Sequence, residues 1–311
     1  MMRDNQPLIS ICIPTYNRPE LLYNTIQSIY DSAENIDFSK FEVIISDNNP
    51  EYISEAVIKK FNYSNLKYIK ATCVGFLNSY NSLKEGRALF LKLHNDYSMM
   101  KKGTMKLMID EVSLGIKTNS VIYFTDGLRE IGKRREYDSF NLFMNDLSYF
   151  SSWSSGFGIW KNDLDELNEK QNQLDKMFPQ TTLLLFLNHS KRYVLNDLPV
   201  YYNQKISKKG GYNIFKVFLV DYISLIKESL RSGFITESTY DKIKNDLLFK
   251  YLSVRYYKTV IVRMDNFEHT NIKKNISINY TSSAYYFMIF YALLAPIRVM
   301  IRKYKIAKYN K

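Results

Sequence analysis

Three short polar clusters carry the side chains in this 311-residue chain best suited to holding a nucleotide. Each cluster follows a short apolar run. Pro14-Thr15-Tyr16-Asn17-Arg18 follows Leu8–Ile13, Asp47-Asn48-Asn49 follows Phe41–Ser46, and His94-Asn95-Asp96 follows Ala88–Leu93. A strand-end aspartate among amides, such as Asp47, can accept hydrogen bonds from a base imide or a ribose hydroxyl. Tyr16 offers an aromatic face on which a base could stack. The competing readings are structural: an Asx turn or helix cap for Asp47 and a core aromatic for Tyr16.

The apolar runs are β-branched and end in polar residues, so they read as buried parallel strands. Between them lie helical patterns. Asn17 is placed to cap a helix, with Pro19 in its first turn, Glu20 three residues on, and Leu22, Ile26 and Ile29 at helical spacing. Residues 51–61 and 77–86 read as further helices, and Leu66–Lys70 as a strand between them. Alternating strands and helices predict an α/β fold: an open, mostly parallel sheet flanked by helices, with ligands at the carboxyl ends of the strands. Beyond it, Val121–Thr125 and Gly156–Trp160 read as strands. Residues 174–190 and 214–232 read as helices, and a long basic helix runs from an N-cap at Thr236 to about Arg263.

Together these stretches resemble one family. PLISICIPTYNRPEL (from Pro7), FEVIISDNN (from Phe41), GFLNSYNSL (from Gly75) and the segment Leu89–Gly103 are similar to the nucleotide-sugar domain of family 2 glycosyltransferases, which have the GT-A fold. The resemblance is good over residues 7–125 and loose over 150–215. It implies a nucleotide-sugar donor held by Pro14, Thr15, Tyr16, Asn17, Arg18, Asp47, Asn48, Asn49, Gly75, Asn78 and Asn95, and a divalent cation across the diphosphate.

Members of the family usually carry Asp-x-Asp where this chain has His94-Asn95-Asp96. Asp96 then becomes the cation ligand and His94 takes the first position, as a second ligand or as a hydrogen-bond partner of the ribose. Because Mn²⁺ tolerates imidazole while Mg²⁺ prefers oxygen, the substitution favours Mn²⁺ over Mg²⁺. The family's general base is acidic and lies eighty to a hundred residues further on, often as an acidic pair. This chain has no such pair, and Asp175 is the nearest carboxylate, with Asp163 and Asp165 weaker candidates and a helix-start role as the alternative. The resemblance also puts Trp153, Ser154 and Gly156 at the acceptor wall, and Lys208 and Lys209 in a loop that closes over the diphosphate.

Composition narrows the setting. At 46% hydrophobic and 24% charged residues the chain reads as globular, without fibrous or repeat patterning. Two cysteines, Cys12 and Cys73, suit reduced thiols, and no apolar leader precedes the first strand, so a cytoplasmic location is expected. Residues 201–311 hold 20 Lys and Arg against 7 Asp and Glu, whereas residues 1–200 are nearly neutral. Ala284–Ile301 is strongly apolar and is followed by Arg302, Lys303, Lys305, Lys308 and Lys311. This composition points to an anionic membrane surface and makes nucleic acid the poorer partner.

The expected layout is a catalytic GT-A-like domain over 1–215, a helical region over 216–265, and a linker with a basic amphipathic tail over 266–311. The expected function is an inverting glycosyltransferase, peripheral on the inner face of the cell membrane. It would move a sugar from a UDP-linked donor to a lipid-linked or polymeric glycan acceptor in capsule, lipopolysaccharide or cell-wall glycan synthesis. For the apolar segment the alternative is a helix packed on the enzyme itself or on its twin in a dimer; for the function, another nucleotide-sugar or nucleotidyl transferase and a degenerate scaffold subunit are the alternatives.

Overall fold

Ile9, Ile11 and Ile13 alternate with Ser10 and Cys12 along a strand buried on both faces, as a central parallel strand requires. The computed structural model describes residues 6–129, 133–190, 192–206 and 210–301. Its strands are β1 (Ile9–Thr15), β2 (Phe41–Asp47), β3 (Leu66–Lys70), β4 (Phe90–Leu93), β5 (Ser98–Met100) and β6 (Val121–Phe124). They continue with β7 (Arg134–Tyr137), β8 (Gly158–Trp160), β9 (Tyr193–Asn196), β10 (Tyr201–Asn203), β11 (Gly210–Asn213) and β12 (Asn266–Glu268).

The main sheet has the order β3-β2-β1-β4-β8. Its first four strands are mutually parallel, and β8 runs antiparallel beside β4. This is the mixed α/β architecture expected from the alternating pattern. Helices Pro19–Ser32 and Thr104–Thr118 pack on the face that carries Ile9, Ile11 and Ile13, joined there by Leu22, Ile26, Met105 and Met108. Helix Asn78–Lys84 lies against β1, β2 and β4. Smaller sheets, β6-β9-β7 and β10-β5, complete this part of the chain.

Contacts divide the chain into two compact units, Met1–Phe143 with Phe150–Lys205, and Met144–Tyr149 with Ile206–Lys311. The second unit is mainly helical. Thr236 caps the helix Glu237–Asn245 by accepting from the Thr239 N–H, as its sequence position suggested. The long basic helix is interrupted by wider π-type turns at Asp246–Leu252 and Tyr257–Ile261. Asp246 accepts from Ser148 at 2.9 Å and pairs with Lys250 at 2.6 Å, which lets a buried carboxylate sit among Leu247, Leu248 and Leu252. The polar stretch after Asn266 is folded: Asn266–Glu268 pairs with β11, and Ile272–Asn279 is a helix.

Two local readings differ. Residues 51–61 form only the short helix Glu55–Ile58, because Asn49 accepts from the Glu51 N–H in a turn and Tyr52 adopts φ +47°. Asn17 does not cap the first helix: it sits at φ +56°, and the N-cap position falls to Arg18, whose side chain makes no cap. Pro19 occupies the first turn as expected.

Candidate active site

Register brings the polar strand ends together. Thr15 lies opposite Asp47 across the β1–β2 ladder, and the His94 N–H continues the β1–β4 ladder by donating to Cys12 O at 2.8 Å. The Thr15 hydroxyl donates to Asp96 Oδ2 at 2.9 Å, so a single residue of β1 joins the ends of β2 and β4. Arg18 closes the other side, its Nη1 donating to Asp96 Oδ1 at 3.0 Å. Burial raises the Asp96 carboxyl above its ordinary range, while the Arg18 charge and the Thr15 hydroxyl pull it back. The Arg18 guanidinium also lies 5.7 Å from the centre of the Tyr97 ring.

Asp47 is fully buried at the end of β2. Its Oδ1 accepts from the Asn49 N–H at 2.9 Å and its Oδ2 from the Tyr68 hydroxyl at 3.0 Å. Each oxygen keeps a second lone pair for a ligand. Asn78 is the hub behind it: its amide donates to Ser46 O and Asn48 Oδ1 and accepts from the Ser46 hydroxyl. Asn48 in turn donates to Cys73 O and Gly75 O. Gly75 adopts φ +58°, a left-handed conformation that favours glycine. Tyr16 is 54% exposed, so its ring is available as a stacking platform and is not part of the core.

His94 is buried, with Nε2 2.6 Å from Ser98 O and its ring edge-on to Tyr201 at 4.9 Å. Burial, and secondarily the Lys92 charge, lowers it to about 3, so the imidazole is neutral. Facing a carbonyl, Nε2 carries the proton and Nδ1 holds a lone pair with no protein partner. A neutral imidazole whose other N–H is fixed by a backbone carbonyl has the chemistry of a metal ligand. Among the described residues, no three His, Cys, Asp or Glu side chains converge as a metal cage. One carboxylate and one imidazole suit a cation that takes its remaining ligands from a diphosphate and water.

Sequence reasoning missed Lys92. It lies wholly buried in β4, where its Nζ donates to Leu93 O at 2.7 Å and to Ser155 O, and packs over the Phe124 and Tyr201 rings. Burial lowers it to about 7. The available signal was a lone lysine inside the apolar run Ala88–Leu93. By gripping Ser155 O, Lys92 fixes the loop whose Ser154 hydroxyl donates to Asn95 Oδ1 at 3.3 Å. Asp126 was also missed. At φ +52° it accepts from the Val200 and Tyr201 N–H groups, and burial raises it to about 6.

The segment read as the acceptor wall thus joins the His94–Asp96 loop. Gly156 is needed there for space, because a Cβ would run into the Tyr123 ring and Phe124 O. Trp153 is half-buried against the core, and its carbonyl accepts from the Tyr123 hydroxyl. Asp175 precedes the helix Pro179–Phe186, with Oδ1 accepting from the Met177 and Phe178 N–H groups at 2.8 Å each. Lys208 and Lys209 lie outside the described residues.

Residues 10–82 match the model of glycosyl transferase family 2. The matched stretch runs from β1 to the helix that carries Asn78, so it includes Thr15, Arg18 and Asp47. No curated protein matches the chain by sequence. Among solved structures, S. aureus TarS 1–349 superposes with TM-score 0.55 at 16% identity, covering 82% of this chain and 75% of that one. The same TarS segment in complex with UDP-GlcNAc gives 0.55 at 16% identity, covering 82% of this chain and 76% of that one. A mannosyltransferase from Pyrobaculum calidifontis, in complex with GDP-Man and Mn²⁺, gives 0.54 at 13% identity over 98% of this chain and 86% of that one. These likenesses establish the GT-A glycosyltransferase fold.

Proposed function

We propose that the chain is a glycosyltransferase that moves a sugar from a nucleotide-sugar donor, UDP-linked, to a lipid-linked or polymeric glycan acceptor in surface polysaccharide synthesis. The observation that carries this reading is the convergence of Thr15, Asp47 and Asp96 at the carboxyl ends of β1, β2 and β4, the first two of these residues lying within the stretch that matches a glycosyltransferase family. Asp47 accepts from the base or ribose, and Tyr16 stacks on the base. Asp96 and His94 hold a divalent cation, Mn²⁺ in preference to Mg²⁺, whose charge offsets that gathering on the departing diphosphate. Arg18, on Asp96, places a second positive charge at the same point. The solved neighbours with UDP-GlcNAc and with GDP-Man and Mn²⁺ support a donor and cation of this kind.

Asp175 is the base in this reading. Its Oδ1 is tied to backbone N–H groups, so Oδ2 takes the acceptor's proton as the hydroxyl attacks, with inversion at the anomeric carbon. A second reading, a subunit that binds the donor without turnover, draws on the Arg18–Asp96 pair and on the imidazole at the position of the family's first carboxylate. Incubation with UDP-sugars, with and without Mn²⁺, tests both. Cation-dependent donor hydrolysis supports the enzyme, and donor binding with no hydrolysis under either condition overturns it.

A further inference from the structure

One apolar helix near the end of the second unit is packed inside out. Helix Ala284–Leu293 turns Ala284, Met288 and Ala292 onto the protein, against Ser253–Tyr256, Asp246–Leu252 and Ile272–Asn279, and Ala295 extends the seam. Its bulky side chains point away: Phe287 and Phe290 are each 58% exposed and Leu293 59%. A helix bordering water does the reverse, burying bulk and exposing small or polar groups. A second short helix, Ala295–Ile301, bends away by 56° and leaves Ile297 and Met300 exposed as well. Among the described residues no single helix is long and apolar enough to cross a membrane. One face is already occupied by protein, so this element is suited to lie along a bilayer.

Beside the helix lies a groove of about 730 Å³ whose lining includes His269, Asn271, Lys273, Lys274 and Ser277 and no carboxylate. Lys273 Nζ donates to the Tyr286 hydroxyl at 3.1 Å, which sets a cation at the rim of the apolar face. From His269 to Lys311 the sequence holds eight Lys and Arg and no Asp or Glu. The basic residues from Arg302 onward lie outside the described residues. A second copy of the chain would bring the same positive charge to this face, whereas an anionic bilayer brings the opposite one.

We propose that this face docks on an anionic phospholipid bilayer, with a headgroup phosphate seated between His269, Lys273 and Lys274 and the exposed side chains of Ala284–Ile301 in the acyl boundary. The inference is independent of the catalytic reading. Full-length protein is sedimented with vesicles of phosphatidylcholine alone and of phosphatidylcholine with phosphatidylglycerol, at low and high salt. Binding to the anionic vesicles is expected, weakened only partly by salt because apolar burial is not screened. The triple variant Phe287→Ser, Phe290→Ser, Ile297→Ser is expected to bind at least about tenfold more weakly with an unchanged melting temperature, since all three side chains are exposed. Lys273→Gln with Lys274→Gln is expected to lose roughly tenfold and to flatten the salt dependence. Unchanged sedimentation of either variant overturns the proposal. So does a dimer that the triple variant dissociates, or stabilisation by inorganic phosphate without vesicle binding.

Discussion

Arg18 donates to Asp96 Oδ1 at 3.0 Å while Thr15 donates to Oδ2 at 2.9 Å, so both oxygens of one carboxylate are oriented by the last residue of β1 and the loop that follows it. The ends of β1 and β4 therefore share one buried charge, with the guanidinium partly open to solvent and the carboxylate closed off. A charged group this buried is tolerable only when paired and hydrogen-bonded. The same pairing orients the residue proposed to hold the cation.

Asp96→Asn removes the negative charge while keeping the shape, so turnover should be abolished and the thermal melt nearly unchanged. Activity near wild type would remove Asp96 from the cation site. His94→Asp restores an oxygen donor and should shift the preference from Mn²⁺ toward Mg²⁺, read by titrating each metal against donor hydrolysis.

Asp47→Ala takes away an acceptor made to the donor in the ground and transition states alike. Donor KM should rise more than kcat falls. Tyr68→Phe, which removes the hydrogen bond to Oδ2 and leaves Oδ1 held by the Asn49 N–H, should do the same more weakly. A loss confined to kcat would refute the role.

Asp126 sets a pH dependence of stability. Its ordinary value is 3.8 and burial raises it to about 6 in the folded chain. Between these values the folded state holds a proton that the unfolded state has lost, so stability falls as pH rises from about 4 to 6. Asp126→Asn can still accept from the Val200 and Tyr201 N–H groups without carrying the charge. Above pH 6 it should be more stable than wild type by roughly 3 kcal/mol, with the two curves meeting near pH 4 in thermal melts. A variant less stable at every pH would contradict this.

Lys92→Met fits the volume but leaves Leu93 O and Ser155 O without their donor. A loss of about 1–3 kcal/mol is expected, together with lower kcat through the slackened Ser154–Gly156 loop. Lys92 touches no reacting atom, so donor KM should move less than kcat. An unchanged melt and an unchanged kcat would show that the grip on Ser155 is dispensable.

The alternation of Ile9, Ile11 and Ile13 with Ser10 and Cys12, and the Phe41–Ser46 run with its single charge at Glu42, are enough to place two central strands and their polar ends. Leu66–Lys70 was read with its boundaries as found, because a short β-branched and aromatic run between turn residues admits few alternatives. The helix expected over 51–61 shortened to Glu55–Ile58: Asn49 and Tyr52 delay its start through a side-chain turn and a positive φ, which apolar spacing does not encode. The helix expected over 174–190 shortened to Pro179–Phe186, because Asp175 spends Oδ1 on the turn ahead of Pro179.

By itself the sequence determined the α/β sheet, the three polar strand ends and the uneven charge, because these follow from local pattern and composition. Only the tertiary structure decided what those residues do to one another. Arg18 meets Asp96 across 78 positions, Lys92 reaches Ser155 across 63, and Asn78 gathers Ser46 and Asn48. The inward seam of Ala284, Met288 and Ala292 is likewise invisible in a stretch that is apolar all round. Hydrophobic periodicity reports which face of an element avoids water. Which polar partner waits in the interior, and which apolar face finds none, is fixed by contacts between distant segments once the chain has folded.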